Sequence, residues 1–70
     1  MTKRQSEALE FIRVFWSRYR HAPSYREIAL AMGIQTSRAF DIVQNLSDRG
    51  YVSVMPGKAR SITLKEKTDG

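Results

Sequence analysis

SYREIALAMGIQTSRAFDIVQNLSDRG, residues 24–50, holds two short helical patterns separated by the connection GIQT. Ser24 and Glu27 form an SxxE capping box, in which the hydroxyl takes a backbone N–H of the first turn and the carboxylate reaches back to the cap. Ile28, Ala29 and Met32 supply an apolar face, and Gly33 suits a left-handed C-cap. Beyond GIQT, Thr36 is the expected N-cap of a second helix that runs to Arg49 and stops at Gly50. Ala39, Ile42, Val43 and Leu46 fall on one stripe of that helix. At about 100° per residue the opposite face carries Ser37, Asp41, Gln44, Asn45 and Asp48, with Arg38 and Phe40 on its shoulders. Two helices joined in this way, the second polar on its outer face, have the form of a helix-turn-helix.

Upstream, Thr2 and Gln5 make another capping box, and Ala8, Leu9, Ile12, Val14, Phe15, Trp16 and Tyr19 recur as an amphipathic helix from about Lys3 to Arg20 requires. Trp16 is expected in the core. His21, Ala22 and Pro23 break the pattern, since proline lacks an N–H and disfavours helical geometry in the residue before it. Downstream, YVSVMPGKARSITL alternates Val52, Val54, Ile62 and Leu64 with more polar residues around PGKA, the pattern of two antiparallel strands and a turn. An isolated hairpin is marginal in water, so its apolar face must lie on the helices. The expected class is α+β: a three-helix bundle with a C-terminal two-stranded β-hairpin wing, a winged helix-turn-helix over residues 1–65. Residues 66–70 read as a disordered tail or the start of a linker.

Seventy residues, 41% hydrophobic and 10% aromatic, suffice for one small core. There is no cysteine, so neither a disulfide framework nor a thiolate zinc site can be drawn, and His21 is the only histidine. No cofactor is expected. Apolar runs are too short for a signal peptide or a membrane span, and a cytoplasmic protein is the expectation. Nothing pairs a nucleophile with a base or forms a glycine-rich phosphate loop, which argues against an enzyme. The formal charge of +5 and a pI near 10.1 favour an anionic partner.

Double-stranded DNA is the partner that this order of elements and the basic hairpin tip suggest. Arg38 suits guanine O6 and N7, while Gln44 and Asn45 suit adenine N6 and N7. For Arg38 the alternatives are a phosphate contact or a solvated side chain, and for Asn45 a local hydrogen bond. Asp41 would repel phosphate, so its place on this face is explained by accepting from cytosine N4 or by a salt bridge within the protein. Phe40 is suited to a thymine methyl or to a partly buried place in the core, and Ser37 to a base or a phosphate. Phosphate contacts are expected from the start of the second helix, through Ser24, Tyr25 and Arg26, and from Lys58 and Arg60 of the hairpin, with Lys3 and Arg4 as lesser candidates.

Three segments, MTKRQSEALEFIRVFW, HAPSYREIALAMGI and LSDRGYVSVMPGKARSITL, resemble the DNA-binding domain of LexA-type repressors over almost the whole chain. The resemblance implies a winged helix-turn-helix whose third helix enters the major groove of operator DNA, in repressors that act as dimers. It also implies an acidic residue in the part of that helix where Asp41 stands. Between Gly33 and Gly50 the chain is one residue shorter than the usual pattern, so a tighter turn before the third helix is expected. In the family a self-cleaving protease domain with a catalytic serine and lysine follows and carries most of the dimer contact. Nothing in these residues supplies it, so the chain is expected to be a piece cut at the linker or a free-standing module. Alone it is expected to be a monomer, paired on DNA or through a domain absent here. The competing reading is a protein-interaction module without DNA binding, favoured by Phe40, Asp41 and Asp48 on or beside one face.

Overall fold

A computed structural model describes residues 2–55 and 61–65. Helices α1 (Lys3–Tyr19), α2 (Tyr25–Met32) and α3 (Thr36–Asp48) precede strands β1 (Val52–Ser53) and β2 (Thr63–Leu64). The strands are antiparallel, with Val52 opposite Leu64 and Ser53 opposite Thr63. Residues 56–60 and 66–70, which include the expected hairpin turn and tail, lie outside the described residues.

Both capping boxes form. Thr2 Oγ1 accepts the Gln5 amide at 3.1 Å while Gln5 Oε1 accepts that of Thr2 at 3.2 Å. Ser24 Oγ accepts the Glu27 amide at 3.1 Å and Glu27 Oε1 accepts that of Ser24 at 2.8 Å. These local bonds fix where α1 and α2 begin. α1 ends differently from what a glycine stop would give: Arg20 takes the left-handed conformation at φ 63°, at a strain cost of ~1–2 kcal/mol.

Gly33, at φ 68°, closes α2. Its amide donates to Leu30 O at 3.3 Å and the Ile34 amide to Ala29 O at 3.0 Å, the paired bonds of a Schellman turn. The chain then extends through Gln35, whose carbonyl accepts the Ala39 amide at 3.0 Å. Gln35, not Thr36, is therefore the N-cap of α3, and no side chain caps it. The helix starts one residue early because the Schellman turn releases the chain in extended form directly after Ile34. A second Schellman turn ends α3, with Gly50 at φ 84°, its amide on Ser47 O at 3.0 Å and the Tyr51 amide on Leu46 O at 2.9 Å.

The core gathers Ala8, Leu9 and Ile12 of α1, Ile28 and Ala29 of α2, and Ala39, Val43 and Leu46 of α3, capped by Val52 and Ile62 of the hairpin. Val14 departs from expectation and is 52% exposed, since a position two residues from Ile12 lies about 200° round the helix. Tyr19 is also half-exposed. Trp16 sits at the edge of the core, half-buried, where its Nε1–H donates to Ile62 O at 2.9 Å. That bond ties α1 to the segment entering β2. The strands are short, two residues each. Ser61 extends their closure: its Oγ accepts the Met55 amide at 3.2 Å and donates to Met55 O at 3.0 Å.

Candidate nucleic-acid interface

α3 turns Ala39, Val43 and Leu46 inward, which leaves Ser37, Arg38, Phe40, Asp41, Gln44 and Asn45 exposed. Among the described residues, the ion pairs join Arg4 to Glu7 at 3.5 Å and Arg13 to Glu10 at 3.8 Å. Neither Arg38 nor Asp41 takes part in one, so among the described residues these two charges of α3 are unpaired. The salt bridge weighed for Asp41 is thus absent among the described residues. Asn45 Nδ2 donates to the Asp41 carbonyl at 3.1 Å, the local bond weighed for it, and the residue is exposed.

The start of α1 faces this helix. Thr2 and Arg4 stand across a groove of about 350 Å³ from Arg38, Asp41 and Asn45, with Ile34 and Ile42 as its apolar lining. Arg4 Nη1 also donates to Met32 O at 3.3 Å, near the C-terminal end of α2, where a helix presents unpaired carbonyls and favours a cation. The sequence offered Arg4 as a lesser phosphate contact, but Thr2, Ile34 and Ile42 carried no signal for a shared groove, which arises from the packing of α1 on α3.

At the other shoulder, Phe40 is 49% exposed. Its ring centroid lies 5.1 Å from that of Tyr25 at an interplanar angle of 48°, a tilted pairing that aromatic quadrupoles favour. Tyr25 is half-buried, and desolvation raises its phenol above the ordinary tyrosine range. Phe40 is thus partly covered by Tyr25, which itself packs against the core, so its ring is neither fully buried nor free of the protein. At the start of α2, the Ser24 amide is engaged in the capping box and the Ser24 hydroxyl accepts there, so the helix N-terminus offers an anion the Ser24 O–H, the amides of Tyr25 and Arg26 and the exposed Arg26 side chain. Lys58 and Arg60 lie outside the described residues.

A family model described as the LexA DNA binding domain matches residues 1–61. The chain belongs to this family. Three helices followed by an antiparallel hairpin are consistent with the LexA winged helix-turn-helix. Among curated relatives, a LexA repressor of Magnetococcus marinus is 37% identical over 97% of the chain and 29% of its own length. The LexA repressor of Cellvibrio japonicus is 30% identical over 100% of the chain and 36% of its own length. That of Aeromonas salmonicida is 35% identical over 91% and 31%. The chain thus spans about a third of the length of these LexA relatives. Among the described residues no helix is long and apolar enough to cross a membrane, and no group of three or more His, Cys, Asp or Glu residues could hold a metal ion.

Proposed function

We propose that the chain is a sequence-specific double-stranded DNA-binding module of a transcriptional repressor, acting in the cytoplasm on the nucleoid. Residues 37–49 lie in the major groove, and the 51–64 hairpin rests on the backbone or in the minor groove. The observation that carries this reading is the outer face of α3, where Arg38 and Asp41 are exposed with no ion pair among the described residues. A helix that merely coats a basic protein has little use for an unpaired carboxylate between an arginine and two amides. A base-reading helix does: Arg38 donates to guanine, Asp41 accepts from cytosine N4, and Gln44 and Asn45 bond adenine. Ser37 adds a hydroxyl to the same face. Ser24, Tyr25 and Arg26 at the start of α2, and Lys58 and Arg60, hold the phosphates and supply the salt-dependent part of the affinity. The isolated chain is a monomer that pairs on DNA or through a further domain.

Selection from a pool of random-sequence duplexes tests this. An enriched sequence, with affinity that falls steeply with salt, is the expected result. Arg38→Ala or Gln44→Ala then relaxes preference at one position at a cost of ~1–3 kcal/mol, whereas Lys58→Ala weakens all sequences alike and flattens the salt slope. A pool that emerges unenriched would overturn the reading.

A further inference from the structure

We propose that Phe40 reads the C5-methyl group of a pyrimidine in the major groove, and that Tyr25 is the positioning residue that holds its ring for the purpose. The proposal rests on α3 being the DNA-reading helix. Phe40 immediately precedes Asp41 and stands at i+3 from Ser37 and i−4 from Gln44, so it shares a helix row with polar groups aimed outward. Half of the phenylalanine is left in water. Burial does not account for its place there, since the core of α3 is already filled by Ala39, Val43 and Leu46.

What fixes the ring is Tyr25, at 5.1 Å and 48°. Tyr25 is the first residue of α2, the helix end proposed to meet phosphate, so the pair bridges the backbone-facing and base-facing parts of the interface. A ring held this way gives up little rotamer freedom on binding, which favours a small and well-placed apolar ligand. A protein partner of ordinary size covers ~800 Å² on each side, and one half-exposed phenyl set in a polar row offers far less. The chemical group that fits is a methyl projecting into the major groove, the feature that marks thymine there and for which phenylalanine is an apolar partner. Thymine and 5-methylcytosine carry it on the same ring carbon.

The test uses the duplex enriched by selection, with each thymine replaced in turn by uracil, which removes the methyl and nothing else. One thymine per half-site is expected to matter to the wild-type chain, its replacement weakening binding about 3- to 10-fold, as loss of one buried methyl contact implies. Phe40→Ala binds the thymine and uracil duplexes equally. Phe40→Leu, which keeps an apolar side chain, retains part of the difference and guards against a misfolded alanine variant, and circular dichroism checks each fold. Tyr25→Phe preserves the discrimination, while Tyr25→Ala reduces it without altering the preference assigned to Arg38. At the same position, a gain of 5-methylcytosine over cytosine assigns the contact to the methyl on either pyrimidine, and a thymine effect without that gain assigns it to thymine. Selective binding with no uracil effect at any position, or an undiminished effect in Phe40→Ala, overturns the proposal and leaves the DNA-binding reading intact. An unenriched pool removes both.

Discussion

Replacing Trp16 by phenylalanine probes how the hairpin is fastened to the helices. The indole Nε1–H donates to Ile62 O at 2.9 Å across 46 residues of sequence, and Ile62 is 1% exposed. Phenylalanine keeps an aromatic ring at the edge of the core and removes the donor, so the carbonyl loses its partner. A neutral hydrogen bond contributes a net ~0.5–1.5 kcal/mol, and a fully buried acceptor left bare costs ~1–3 kcal/mol. Trp16 is half-buried, which places the expected loss toward the lower end, about 1–1.5 kcal/mol. A chain of 70 residues has a total stability of roughly 4–10 kcal/mol, so the loss is a substantial fraction of the whole. With a urea m-value of about 1 kcal/mol/M, the unfolding midpoint should fall by ~1–1.5 M, and Tm by roughly 4–12 °C. Far-UV circular dichroism is the assay, because Trp16 is the only tryptophan and its fluorescence disappears with it. Trp16→Ala should be less stable again through lost packing. A phenylalanine variant that unfolds at the wild-type midpoint would refute the reasoning that this bond secures the wing.

Arg20→Gly should raise the unfolding free energy by ~0.5–1 kcal/mol, read as a higher urea midpoint, because glycine adopts φ 63° without the strain arginine carries there. Gly33→Ala should do the reverse: an added Cβ meets nothing within 4 Å, so the expected loss of ~1 kcal/mol is backbone strain at φ 68°, and an unchanged urea midpoint would disprove it. Tyr25 holds its proton more tightly folded than unfolded, so its contribution is constant below pH ~10 and is lost as pH rises from there through the raised folded pKa. Tyr25→Phe should flatten the stability profile above that pH, and parallel profiles for the two chains would contradict the assignment.

What could be read from the sequence divides by distance along the chain. Both capping boxes, the stop at Gly33 and the core stripe of α3 depend on residues within a few positions of one another, and their physics is complete in a short window. Thr36 shows the limit of that window. It is a better capping residue than Gln35, yet the cap falls on Gln35 because the Schellman turn at Gly33 and Ile34 dictates where the chain becomes extended. Val14 matches the apolar stripe by residue type, but the helical angle sets it apart and leaves it exposed. The contacts that shape the interface, Arg4 on Met32, Trp16 on Ile62 and Tyr25 on Phe40, join residues that nothing local pairs. They follow from helix packing, and the sequence offered only the hint of a phenylalanine beside a polar face.

The turn between α2 and α3 also sets a tolerance on aim. α3 has 13 residues, which makes it ~20 Å long. A tilt of about 10° at its start would sweep the far end through ~3.4 Å, the rise of one base pair along a strand. On the proposed placement of α3 in the major groove, a small angular error at this joint shifts the helix's last turn onto the wrong rung while its first turn stays in place. Gly33 and Ile34 lock the joint by backbone bonds, and Arg4 braces it from α1 through Met32 O. Substitutions at these positions, none of which need touch a base, should blur discrimination most at the end of the site farthest from the turn.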